Sequence, residues 1–252
     1  MAEIQSSKSS MSVKAFFKKQ TFNPGIVGFF TNPFFFARRA LYDNIAKLAP
    51  HIKGEILDVG CGQKPYKHLF SYTQYIGIEV EQEGHDHTNE DVDVFYDGKH
   101  IPFNDNHFDS AITSQVLEHV FEPDAFLREI HRVLKPEGTL LLAVPFVWDE
   151  HEQPYDYARY SSFGLKYLME KNGFQVITHI KSLNDARVIF QLINGYIVKK
   201  TIFLRPNSKV NIVVSIFLNA WVNIFGTLIS FILPKNNDLF LDNIILVKKV
   251  IS

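Results

Sequence analysis

Cysteine is all but missing from this chain: Cys61 is the only one in 252 residues. A single thiol forms no internal disulfide, so a reducing, cytosolic compartment is expected. Excess charge is missing as well. Twenty-six Lys and Arg stand against 27 Asp and Glu, a formal net charge of −1, which removes the global basic field that a nucleic-acid partner would favour. No secretory signal is legible. Lys14, Lys18 and Lys19 precede an apolar region, but Pro24, Pro33, Arg38 and Arg39 interrupt it before a cleavage-like site. There is no internal repeat. Nor is there a zinc-ligand spacing: His85-Asp86-His87 has no third spaced His or Cys, so a solvated loop and no bound metal are expected there. What the chain has in quantity is apolar and aromatic residues. At 46% hydrophobic and 21% charged it is globular in composition, and 23 Phe and ten Tyr make it unusually aromatic.

Residues 1–12 are Ser-rich and without periodicity, as in a frayed tail. Asn32 reads as an N-cap with Pro33 at the first helical position, opening a helix that ends near Leu48, before Pro50. Residues 1–50 thus form a tail and an aromatic-rich helical segment ahead of a main domain over 51–252. In that domain strands are expected at 55–59, 75–80, 91–96, 108–114, 139–144 and 174–180. Helical stretches are expected at 64–70, 122–134 and 161–172, with a turn at 135–138 and Gly173 closing the last helix. Strands alternating with helices predict an α/β fold with a mostly parallel sheet covered on both faces. Between 184 and 237 the alternation stops. Two apolar segments, 188–204 and 212–233, read as helices inserted before a closing strand at 238–250.

Ligands in such sheets bind at the carboxyl ends of strands, at the point where strand order reverses. Asp58, Glu79, Asp97 and Ser114 all fall at or just after strand ends. The first strand runs into Asp58-Val59-Gly60-Cys61-Gly62, whose glycines let the backbone approach a ligand. A dinucleotide site wants a third glycine, and here Pro65 stands in its place. Asp58 ahead of the turn suits a ligand bearing an amino group better than one bearing two phosphates.

Ile56-Leu57-Asp58-Val59-Gly60-Cys61-Gly62 resembles motif I of the class I S-adenosylmethionine-dependent methyltransferases. Further matches keep the family's order. Glu79 resembles the acid that holds the ribose hydroxyls, and Asp97-Gly98 the loop whose Asp meets the adenine amino group. Residues 108–120, with Ser114 and Gln115, resemble the fourth strand and its turn; 128–140 resemble the next helix, turn and strand. The resemblance covers about 54–182. It implies a Rossmann-like, doubly wound, seven-stranded sheet, S-adenosyl-L-methionine as cofactor, and a cofactor site of Asp58, Gly60, Cys61, Gly62, Glu79, Asp97, Gly98, Ser114 and Gln115. Lys64 departs from the pattern where many members carry glycine, so the carboxylate end of the cofactor is expected to be held differently.

Methyl transfer to a hydroxyl needs alignment and a group to take the proton. The candidate bases are His119, His151, Glu152 and Asp156. The loop His151-Glu152-Gln153-Pro154-Tyr155-Asp156-Tyr157-Ala158-Arg159-Tyr160 mixes His, carboxylates, Arg and three tyrosines. It resembles a loop of methyltransferases from bacterial surface-polysaccharide pathways, which implies a substrate side formed by Tyr155, Asp156, Arg159 and Tyr160. Cys61 reads as a small residue in a close-packed turn. No Asn/Asp-Pro-Pro-Tyr follows the fourth strand, which argues against amino-directed methylation of nucleic acid or protein glutamine.

The segment 212–233 is 22 residues without charge, long enough to span a membrane. Yet Asn211, Ser215, Asn219, Asn223, Thr227 and Ser230 recur mostly four apart and share one side of a helix. A helical hairpin packed on the domain, on a second copy, or in the membrane interface is expected, and with it a cytoplasmic or inner-face peripheral location. The expected acceptor is a sugar hydroxyl of a cell-surface glycan or its lipid-linked precursor. The alternatives are a quinone or other lipid-like ring, and a non-catalytic partner subunit.

Overall fold

A computed structural model describes residues 20–81, 90–201 and 208–250. The loop with His85-Asp86-His87 lies outside them. Seven strands form one sheet: β1 (Lys53–Val59), β2 (Ser71–Val80), β3 (Val94–Tyr96), β4 (Phe108–Ser114), β5 (Leu134–Pro145), β6 (Phe174–Ser182) and β7 (Asp242–Lys249). Their order is β3-β2-β1-β4-β5-β7-β6, with β7 antiparallel to both neighbours. Strand order reverses between β1 and β4, so the crevice beyond their carboxyl ends is where a ligand should lie.

Alternation along each buried strand sends side chains to two cores. Leu57 and Val59 of β1 join Leu127, Ile130 and Val133 of α3 (Pro123–Val133) and Leu165 and Met169 of α4 (Ser162–Lys171). Ile56 faces the other way, among Leu41, Ile45 and Leu48 of α2 (Phe35–Leu48). Leu127, Ile130 and Val133 are fully buried at helical spacing, each worth roughly 1.5–3 kcal/mol in transfer free energy. Ser161 caps α4, its hydroxyl accepting from the Gly164 N–H at 3.2 Å.

Three local expectations change. Residues 64–70 hold only a 3-10 turn, Lys67–Leu69, because Lys64 adopts φ 48°, outside helical geometry. Asn32 caps a turn, accepting the Phe34 N–H at 2.8 Å, and the helix itself begins at Phe35. The turn at 135–138 is absorbed into β5 as an irregularity, with Glu137 at φ 64° and a register shift against β4.

The insertion is a helical pair, α5 (Arg187–Thr201) and α6 (Lys209–Ile232), joined by the short N-terminal α1 (Ile26–Thr31). Its polar stripe points inward. Ser215, Asn219 and Asn223 are buried; Asn223 accepts from Asn194 Nδ2 at 2.8 Å and donates to the Phe29 carbonyl at 2.7 Å. Gln191 ties α5 to α2, accepting from the Ala37 N–H and donating to the Pro33 carbonyl, each at 3.0 Å. The apolar side therefore faces outward: Val213, Phe217, Trp221, Phe225, Leu228 and Phe231 are exposed, Phe231 to 82%.

Candidate active site

A cleft of about 850 Å³ opens at the carboxyl ends of β1, β2 and β4, lined among others by Gly60, Gly62, Glu79, Gly98, Gln115 and Val116. Gly60 sits at φ 73°, and a Cβ there would stand 2.2 Å from Val116 Cγ2. Only glycine fits that position without strain. Glu79, at the end of β2, accepts the Gly62 N–H at 3.0 Å through Oε2, so the carboxylate is aimed across the glycine turn into the cleft. Val80, Tyr96 and Val116 supply apolar walls. A carboxylate facing a side-chain-free floor between apolar walls fits a nucleoside whose ribose diol donates to the acid.

Several expected residues sit elsewhere. Asp58 does not line the cleft. It is buried beneath the turn and accepts the Tyr75 hydroxyl at 2.6 Å. Burial pushes its carboxyl up to about 7, against the lowering effects of Tyr75 and Lys64. Cys61 is buried, with Sγ near the Gly62 and Asp91 carbonyls, and burial pushes its thiol up. Lys64 crosses over Gly77, where a Cβ would meet its Cε at 2.3 Å, and its ammonium pairs with Asp93 at 2.6 Å. That lysine is committed to bracing the loop. Asp97 caps its own turn, accepting the N–H groups of Lys99 and His100 at 2.8 and 2.7 Å, and those donors hold it down at about 2. Gly98, not Asp97, borders the cleft. Ser114 ends β4 with a buried hydroxyl that has no hydrogen-bond partner among the described residues.

Asp58 carries a prediction about stability. Its carboxyl titrates near 4 when unfolded and near 7 when folded, so the folded state prefers the protonated form. The stability it contributes is complete below about pH 4 and is lost as pH rises through about 7, at most about 4 kcal/mol. Melting temperatures of Asp58→Asn should gain on those of the unmutated protein between pH 5 and 8. Parallel melting profiles would show that Asp58 does not titrate in this window.

A second cavity of about 270 Å³ adjoins the first. Phe34, Arg38 and Leu41 of the N-terminal segment, Trp148, His151 and Glu152 of the loop after β5, and Gly195 and Lys199 of α5 line it. Gln115 and Glu152 line both cavities, and His119 and Tyr155 line the first. Gln115 Nε2 donates to Asp242 at 3.4 Å; burial pushes Asp242 up to about 6.

His119 stands at this junction. Its Nδ1 donates to the Tyr155 carbonyl at 2.9 Å, which leaves Nε2 3.1 Å from Glu152 Oε2. The His151 ring lies 4.8 Å from the His119 ring, edge to face. Asp156, Arg159 and Tyr160, expected at the substrate, line neither cavity. Asp156 pairs with both Arg159 nitrogens at 2.6 and 2.7 Å and accepts the His151 N–H at 2.9 Å. Burial alone would raise its pKa, but Arg159 and His151 hold it at about 2. Tyr160 packs on the core, and its carbonyl accepts from Asn243. These three residues shape the loop, and Tyr155 alone of the four faces a cavity. Glu118, absent from the expected site, is fully buried, and its carboxylate oxygens have no hydrogen-bond partner among the described residues. Burial pushes its pKa up to about 8. Its neighbours in sequence, Leu117 and His119, gave no sign of this.

Fold, strand-end acid and glycine floor together give a Rossmann-like fold of the kind that class I methyltransferases have, with a cleft that fits S-adenosylmethionine. Residues 57–142 match the family model described as "Methyltransferase domain". Curated relatives match over short stretches. The ubiquinone/menaquinone biosynthesis C-methyltransferase of Paraburkholderia phymatum is 44% identical over 61 residues, 24% of this chain and 25% of that protein. The enzyme of that name from Shewanella sp. (strain ANA-3) is 46% identical over 52 residues, 21% of this chain and 20% of that protein. The chain thus spans about a quarter of the length of the curated relatives it matches. Solved structures share the fold over far more of the chain. The [4+2]-cyclase SpnF aligns at TM-score 0.54 and 21% identity, over 86% of this chain and 82% of that one. Phosphoethanolamine N-methyltransferase 2 of Haemonchus contortus, solved with S-adenosyl-L-methionine, aligns at 0.51 and 18%, over 97% and 61%. A cyclase among these neighbours shows that the fold alone does not name a reaction.

Proposed function

We propose that this protein moves a methyl group from S-adenosylmethionine to an oxygen of an acceptor held between α2, α5 and the 148–152 loop. The observation that carries this reading is the meeting of two cavities at Gln115 and Glu152, with His119 and His151 beside the junction. When bound, the cofactor supplies an electrophilic methyl carbon on a sulfonium. The chain's own groups then have three tasks: Glu79 and the glycine turn orient the donor, the smaller cavity orients the acceptor, and the His119–Glu152–His151 cluster eases loss of the hydroxyl proton.

The smaller cavity pairs aromatic and apolar faces with Arg38, Asp149 and Lys199. Such a lining suits a sugar, which offers one apolar face and a rim of hydroxyls. The outward apolar side of α6 supports a lipid-linked form of that sugar, taken from the inner membrane face. β7 lies between β5 and β6 in the sheet, so the chain must return after α6, which favours a helix lying in the interface over a span. The protein is expected to float with anionic vesicles, and Phe217→Asp with Phe231→Asp to abolish flotation. A dimer in solution that buries α6 and ignores vesicles would instead make that face a contact between copies. A second reading, methylation of a quinone-like ring, is favoured by the partial match to quinone-pathway enzymes. Incubating the protein with labelled methyl donor and fractionated membrane extract decides between them: label in glycan supports the sugar acceptor, and label in free lipid ring overturns it.

A further inference from the structure

Glu118 is the anomaly of the site: a fully buried carboxyl group whose oxygens have no hydrogen-bond partner among the described residues. Buried charges are normally paired, neutralised or bound to a metal. Around it stand two histidines oriented alike. The Nδ1 of His119 is taken up by the Tyr155 carbonyl at 2.9 Å. The Nδ1 of His151 lies 3.2 Å from the Asp149 carbonyl and 3.3 Å from Asp156 Oδ2, with Arg159 at 3.4 Å already paired to Asp156. Two acceptors on Nδ1 place the proton there and leave Nε2 as a lone-pair donor. Histidines that bind metals show this pattern, their second nitrogen fixed by a carbonyl or carboxylate. His119 Nε2 is 3.8 Å from Glu118 Oε1 and 3.1 Å from Glu152 Oε2. One ligand atom from each of Glu118, His119 and His151 lies within 4.8 Å of the other two.

We propose that Glu118, His119, His151 and Glu152 bind one first-row divalent cation at the junction of the two cavities. Two imidazoles and two carboxylates suit zinc, manganese, iron(II) or cobalt(II) better than calcium or magnesium. The side chains need to close from their present separations to about 2.0–2.2 Å from the ion. Glu152, the most exposed of the four at 41%, is the ligand with room to move, and an acceptor hydroxyl can share its side of the ion. This inference rests on the methyltransferase reading and deepens it. The cation lowers the pKa of the bound hydroxyl. The O–H proton then leaves to water, the oxygen bonds to the methyl carbon, and the electrons of the breaking C–S bond stay on sulfur. In that arrangement His119 and His151 are ligands, and no protein base is required.

The test uses untagged full-length protein, stripped with a chelator and titrated with cobalt(II). Visible d–d bands saturating at one equivalent are expected, with zinc displacing them. Glu118→Gln, which keeps the size of the side chain, should weaken cobalt binding at least about tenfold while keeping the circular dichroism of the parent. An unmutated protein that gives no bands overturns the cation site, as do bands undiminished in a folded Glu118→Gln. The unmutated titration decides even where the variant fails to fold. Calorimetry with S-adenosylmethionine on the stripped protein judges the underlying methyltransferase reading independently.

Discussion

Replacing Glu79 with alanine is expected to weaken S-adenosylmethionine binding by about 100- to 1,000-fold. The carboxylate ends β2 at the edge of the cleft and holds the glycine turn through the Gly62 N–H. A ribose diol would give it two charge-assisted hydrogen bonds, each worth about 1.5–3 kcal/mol. Losing about 3–4 kcal/mol is two to three decades in affinity. Truncation also frees the Gly62 N–H, leaving the Gly60 and Cys61 N–H groups on the Ile78 carbonyl as the turn's ties to β2. Glu79→Gln keeps an acceptor and should fall between the two. Calorimetry reads the outcome directly, and an alanine variant within threefold of the parent would place the ribose elsewhere.

His151→Ala should lower methyl transfer by about 100-fold or more while leaving cofactor affinity within a few-fold. The ring borders the acceptor cavity and not the donor cleft, so its loss touches the reacting centre without removing donor contacts. General acid–base groups are typically worth about 10²–10⁴ in rate, and a lost ligand to a catalytic ion costs at least as much. His151→Ala also strands Asp156 and Arg159 less than it might, because those two remain paired with each other. Steady-state kinetics on the acceptor identified by methyl labelling, with cofactor calorimetry alongside, separates the two effects. Unchanged turnover would remove His151 from the chemistry.

The packing of α6 was legible in the sequence only in part. The four-residue recurrence of Ser215, Asn219 and Asn223 marked one polar side. Periodicity says which residues share a side but not which side faces the protein. Tertiary packing turned the polar side inward, onto Asn194 and the Phe29 carbonyl, and left Phe217, Trp221 and Phe231 outside.

By itself the sequence determined the sheet, the position of the ligand crevice and the acid at the end of β2. These depend on local patterns: strand runs, glycine turns and the spacing from Asp58 to Glu79. Only the tertiary structure decided what each polar side chain does once there. Asp58 and Asp97 stand at strand ends as expected, yet the Tyr75 hydroxyl and the N–H groups of Lys99 and His100 claim them, because these are the donors that the folded chain brings nearest. Asp156 and Arg159 satisfy each other for the same reason. Glu118 became visible only in three dimensions, since burial without a partner is a property of its surroundings and not of its neighbours in the chain.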